Sequence, residues 1–173
     1  NFFVYSEHFS QRNSEVIGYV KLWRKFLDNK LLYFAMKYEG DFRKMYVALI
    51  TKEPIDKEIL REYKKQIKHK YVTVMSHNYP EYFKSKNCPP IVLFYKGNLD
   101  LVDNDLPKEY STLENGKRFI STVNPTEQNG KLVFDYVVGA ESQEDLERMF
   151  EHLKSKGLPI KNYDKPKKKQ MER

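Results

Sequence analysis

Hydrophobic positions along the chain follow two periods, and the change from one to the other near residue 70 organises the sequence. From Ser14, the apolar residues Val16, Tyr19, Val20, Trp23, Phe26 and Leu27 recur at spacings of three and four, with Glu15, Lys21, Arg24 and Lys25 largely on the other side. This spacing predicts an amphipathic helix that ends at Asp28-Asn29. The apolar and aromatic stretch 31–38 predicts a short buried helix. Gly40-Asp41 breaks it and caps a third, with Phe42, Met45, Tyr46 and Leu49 as the inner stripe. Pro54 and Asp56 open a fourth, with Ile59, Leu60, Tyr63 and Ile67 facing inward and Arg61, Lys64, Lys65 and Lys68 outward.

After residue 70 the helical period is lost. Residues 71–75 form a β-branched and aromatic run of strand length. Residues 76–80 carry turn chemistry, and Pro80 suits the first turn of a short helix. Pro89-Pro90 forces extension into a second strand, 91–95, which is apolar on both faces and is therefore expected to be covered on both sides, as in α/β sheets. Residues 103–117, with Pro107 and Gly116, read as a connector. Strands are predicted at 119–123 and 131–138. Asn129-Gly130 between them predicts an antiparallel hairpin with a longish loop. Ser142, with Asp145 in the capping-box position, starts a last helix whose stripe is Leu146, Met149, Phe150 and Leu153, and Gly157 ends it.

These elements predict an α/β fold, with α+β as the alternative. Its expected parts are a helical cluster over 1–68, a short Rossmann-like strand segment over 69–102, a strand–strand–helix unit over 103–160, and a basic tail over 161–173. A length of 173 residues with 40% hydrophobic content fills one ordinary domain, or a core with a small appendage. With 32% charged residues and no long apolar run, the sequence contains no membrane-spanning segment. The first residues lack the pattern of a secretory signal. The single cysteine, Cys88, excludes an internal disulfide, and a cytoplasmic setting is expected.

Charge alters the picture more than composition does. The net charge is +7, distributed as about +1 over 1–29, +6 over 30–102, −4 over 103–160 and +4 over 161–173. A basic middle and tail favour contact with a polyanion. For the tail alone, with Lys167, Lys168 and Lys169, the plainer reading is a solvated end that aids solubility.

Catalytic motifs are sparse. The seven glycines lie at least nine positions apart, so neither a dinucleotide loop nor a P-loop can be written. His8, His69, His77 and His152 form no HxxxH or HExxH pair, and one cysteine gives no zinc spacing. Cys88 with His77 is a nominal nucleophile pair, but Cys88 precedes Pro89-Pro90, where a small extended residue needs no catalytic role. Glu144, Glu147 and Glu151 share a helical face and read as solvated. No enzymatic activity, metal or other cofactor is expected.

Residues 71–102, with their strand, Asn78-Tyr79-Pro80-Glu81, Pro89-Pro90 and then the run Val92 to Leu99 with its Tyr95-Lys96-Gly97-Asn98, resemble the opening segment of the DprA/Smf family of DNA-processing proteins. The preceding stretch from Lys30 resembles the helical segment before that strand in clostridial and mycoplasmal relatives. The resemblance covers about residues 30–102. It implies a partial Rossmann-like fold and binding of single-stranded DNA, which family members perform as dimers while loading the recombinase RecA. The family's Gly-Ser-Arg turn and its Ser-Gly-x-Ala-x-Gly-Ile-Asp stretch are missing, so its binding residues do not transfer.

The function expected is therefore non-catalytic binding of nucleic acid (single-stranded DNA or RNA) or of a nucleic-acid-bound protein, with a homodimer as a further option. The candidate contacts are Arg43, Lys44, Arg61, Lys64, Lys65, Lys68, Lys70 and Lys96, interleaved with Tyr38, Tyr46, Tyr63 and Tyr71 as stacking platforms. The competing reading is a protein-binding inhibitor or interaction module, such as a bacterial mobile element's anti-defence protein, that has lost the DNA pocket. The acidic segment 103–160 would serve it by meeting a basic surface.

Overall fold

The computed structural model describes residues 21–163, so the helix start expected at Ser14 and the basic run Lys167 to Lys169 lie outside the described residues. Helix α1 runs unbroken through 21–37, across Asp28-Asn29, where the sequence suggested a stop. Asp and Asn cost a helix interior only about 0.7 kcal/mol each. Burial of Leu31, Leu32 and Phe34 outweighs that, at roughly 1.5–3 kcal/mol per large side chain. The Asp28 carboxylate is also used, accepting a hydrogen bond from the buried Thr73 hydroxyl. Trp23 and Phe26, expected to face inward, are instead exposed.

Gly40 closes α1, its N–H donating to the Ala35 carbonyl at 2.9 Å with φ +76°. A Cβ there would fall 2.2 Å from the Glu141 carbonyl oxygen, so only glycine fits. Asp41 then caps α2 (Phe42–Ile50) through the Lys44 N–H. The inner side of α2 is Met45 and Ala48; Tyr46, expected there, is 53% exposed. Helix α3 (Lys57–Gln66) is capped by Asp56 and buries Leu60, with Tyr63 and Ile67 half-buried.

Five strands follow: β1 (Lys70–Thr73), β2 (Val92–Gly97), β3 (Glu109–Thr112), β4 (Arg118–Gln128) and β5 (Lys131–Ala140). They form one sheet in the order β1-β2-β5-β4-β3, with every neighbouring pair antiparallel. Mixed helix and strand content is as expected, but the strands of 69–102, expected to form a short Rossmann-like segment, pair antiparallel, whereas Rossmann strands are parallel. The reason is the link between β1 and β2. Its only helix, α4 (Glu81–Lys84), has four residues, a rise of about 6 Å. The rest of the link is turns, and Val74 N–H donates to the Ile91 carbonyl at 3.0 Å, so the chain doubles back beside β1 and not across the sheet face.

The hairpin loop is also tighter than expected. Asn129 and Gly130, at φ +53° and +72°, form a two-residue turn of type I′. Strand β4 continues through Pro125 because the register there tolerates a missing N–H. Phe134, its partner across the ladder, directs its own N–H and C=O the other way, to Pro159 and Lys161. Pro125 thus sits where no ladder bond is required. Strand β3 lies inside the stretch expected to be a connector.

As the apolar run 91–95 suggests, the sheet is covered on both faces. On one, Val92, Phe94, Phe119, Tyr136 and Val138 pack against α1, α2, α3 and α5 (Gln143–Ser155). On the other, Val72, Leu93, Ile120 and Val137 meet Tyr79, Phe83 and the 3-10 turn Leu99–Asp103. Ser142 caps α5 by accepting from the Asp145 N–H, and its hydroxyl donates to the Asp145 carboxylate at 2.8 Å.

Candidate nucleic-acid interface

The amphipathic pattern of α3 decides where its cations point. With Leu60, Tyr63 and Ile67 turned to the core, Lys57, Arg61 and Lys64 fall within an arc of about 60° on one flank, and Lys65 lies roughly 40° further round. Glu58 and Glu62 occupy the next sector. Arg61 pairs with Glu58 at 2.5 Å and Lys65 with Glu62 at 2.7 Å. Both pairs are largely exposed, so each contributes about 0.2–1 kcal/mol and yields readily to a competing phosphate. Lys57 and Lys64 have no ion pair among the described residues. Lys68 follows just beyond the helix and is exposed; its N–H is held at 2.8 Å by the Gln143 side chain, which also donates to the Gln66 carbonyl at 3.2 Å. This clasp fixes the end of α3 to the start of α5.

The other four candidates do not join that flank. Arg43 and Lys44 stand on α2, and Lys44 lies 3.6 Å from Asp41. Lys70 and Lys96 point to opposite faces of the sheet: Lys70 is in register with Tyr95, so their side chains share a face, and Lys96 is the next residue along. Lys96 is also committed. Its ammonium lies 3.3 Å from Glu147 and 4.3 Å from the centre of the Phe150 ring, and its side chain is only 16% exposed. The same Glu147 carboxylate takes His69 Nε2 at 2.7 Å.

The tyrosines are mostly structural. Tyr38 donates to Glu53 at 2.7 Å, Tyr63 packs 5.5 Å from Tyr33, and Tyr71 lies against Phe94. Of these four, only Tyr46, stacked on Phe42, is exposed. Val47 and Ile50 extend its exposed side of α2.

Sequence reasoning missed the turn 115–118. Arg118 donates to both oxygens of the buried Glu141, from Nη2 at 2.6 Å and from its backbone N–H at 2.7 Å, and its guanidinium lies 5.2 Å over the Phe42 ring. Asp145 next to it accepts from Asn115, Ser142 and Arg148, with Lys117 at 3.8 Å. Between this turn and the start of α2 lies a cavity of about 370 Å³. Asn115-Gly116 signals a turn, but the partners at 41–43 and 141–148 are too distant in sequence to be read.

Cys88 and His77 are both exposed, Glu144 and Glu151 are exposed, and Glu151 pairs with Lys154 at 3.0 Å. Among the described residues no group of three or more His, Cys, Asp or Glu side chains is placed to hold a metal, and no helix is long and apolar enough to cross a membrane. Comparison with known proteins found no family model, no curated protein and no solved structure that matches the chain.

Proposed function

We propose that this chain is a non-catalytic nucleic-acid-binding protein that grips the phosphate backbone through the flank of α3. The observation that carries this reading is the alignment of Lys57, Arg61 and Lys64 on one solvent-facing arc, with Lys65 beside it and Lys68 next in the chain. Phosphate neutralisation, rather than base stacking, is the mode this surface offers, since three of the four interleaved tyrosines are occupied by core or hydrogen-bond partners. The resemblance of residues 30–102 to the DprA/Smf family leans the same way.

Four neutralised phosphates give a slope of log affinity against log salt of about −3, hence a roughly sixtyfold loss between 50 and 200 mM salt. In a mobility-shift titration, the double substitution Arg61→Gln/Lys64→Gln reduces that slope by about 1.5, whereas Lys154→Gln on α5 leaves it unchanged. Affinity indifferent to salt, or no retention of single-stranded DNA or RNA, defeats the reading.

A second reading, a protein-binding module, is favoured by one observation: Tyr46, Val47 and Ile50 on α2 are each more than half exposed. Co-purification of a defined protein partner that is lost on Val47→Asp, without binding to bare nucleic acid, selects it.

A further inference from the structure

The cavity between the start of α2 and the turn 115–118 opens to solvent and carries unused cationic donors. Arg43 and Lys117 line it, with Arg118 at its back and Phe42 as an apolar wall. The Arg43 guanidinium makes no hydrogen bond or ion pair among the described residues. Lys117 Nζ stands 3.8 Å from Asp145, too far for a hydrogen bond, and Asp145 is already engaged by Asn115, Ser142 and Arg148. Arg118 spends Nε and Nη2 on Glu141 and the Pro89 carbonyl, and Nη1 donates to nothing among the described residues. Of the charged groups that line it, Arg43, Lys117 and Arg118 stand with Asp41, and Glu141 offsets Arg118, which leaves the lining net positive; Glu39 and Glu144 border Lys117 in a neighbouring pocket. The N-terminus of α2 adds its partial positive charge.

We infer that this cavity binds a phosphate monoester dianion, with the phosphoryl oxygens among Arg43, Lys117 and Nη1 of Arg118 and the organic part against Phe42. A net positive lining favours an anion, and guanidinium donors suit phosphate oxygens. At about 370 Å³ the space is at the lower end for small-molecule sites, larger than a bare phosphate ion needs. The ester has two potential sources, a free small phosphate or the 5′-phosphoryl end of a nucleic acid.

Calorimetric titration with phenyl phosphate tests the site directly. Binding at about 1 mM or tighter is expected, weakened about tenfold by Arg43→Gln and again by Lys117→Met, and unchanged by Lys154→Gln. The Arg61→Gln/Lys64→Gln protein keeps phenyl phosphate binding, which separates this site from the α3 flank. Affinity falls below about pH 6, where the ester takes up a proton. Tighter binding of a 5′-phosphorylated oligonucleotide than of its 5′-hydroxyl counterpart, with displacement by phenyl phosphate, assigns the nucleic-acid end; binding of phenyl phosphate alone assigns a small ester. The Arg43 side chain makes no hydrogen bond or ion pair among the described residues, so its variant is expected to fold. Failure of phenyl phosphate to bind, or equal binding by the wild type and both variants, overturns the inference.

Discussion

Replacing either partner of the Arg118–Glu141 pair should cost far more than replacing both. The two side chains are 13% and 4% exposed, so neither charge is relieved by water when its partner is removed. Arg118→Met leaves the Glu141 carboxylate buried with one backbone N–H for company. Glu141→Leu leaves the guanidinium with the Pro89 carbonyl at 3.5 Å and the Phe42 ring face, and strips the Arg118 N–H of its acceptor. Each single change is expected to destabilise by about 3–5 kcal/mol, which in a protein of this size lowers the melting temperature by roughly 6–20 °C. The double variant buries no charge and orphans one N–H, at a cost of about 1–3 kcal/mol. The coupling is then about 3 kcal/mol or more, at the top of the range for residues in contact. Urea unfolding of the four proteins at neutral pH measures the cycle. Single variants within about 1 kcal/mol of wild type, or a double variant as damaged as the two singles added, would refute the claim that the pair is dry and mutually dependent.

Two further outcomes follow from the fold. Burial, then the nearby Tyr110, raises the Tyr79 phenol well above its ordinary value of 10.0, and its hydroxyl donates to the Pro90 carbonyl at 2.7 Å. The stability this group contributes is full below pH 10 and is lost as pH rises above it, because only the unfolded chain ionises there freely. Tyr79→Phe therefore costs about 0.5–1.5 kcal/mol at neutral pH yet weakens the alkaline loss, which pH-dependent urea melts will show as a flatter profile. At the hairpin turn, Asn129→Ala keeps a Cβ in the left-handed region but loses the short polar side chain that makes this conformation tolerable, and is expected to lose roughly 1 kcal/mol in thermal melts, whereas Asn129→Gly leaves stability within a few tenths.

What the residue pattern disclosed was local. Caps at Asp41, Asp56 and Ser142, the Asn129-Gly130 turn and the double-sided burial of 91–95 rest on neighbours within a few positions, and all are present. What it hid was long-range. Asp28-Asn29 looks like a helix end until Thr73, 45 residues on, supplies a partner. Strand β3 offers one apolar side chain, Tyr110, because it is an edge that only β4 pairs. The cationic candidates behaved likewise: α3 sorted Arg61, Lys64 and Lys65 by periodicity alone, while the commitment of Lys96 to Glu147 depends on α5 docking over β2.

The return of the chain after α5 has a bearing on self-association. Strand β2 covers β5 only from Val137 onward, and the earlier half of β5 is left for Pro159 to Lys161 to close, with Tyr163 anchored on Asp135. That short closing segment is a stopper in an otherwise open slot. A protease nick or frameshift just beyond Gly157 would leave a bare β-ribbon whose backbone can recruit the same ribbon from another molecule, making it a seed for strand-by-strand polymerisation.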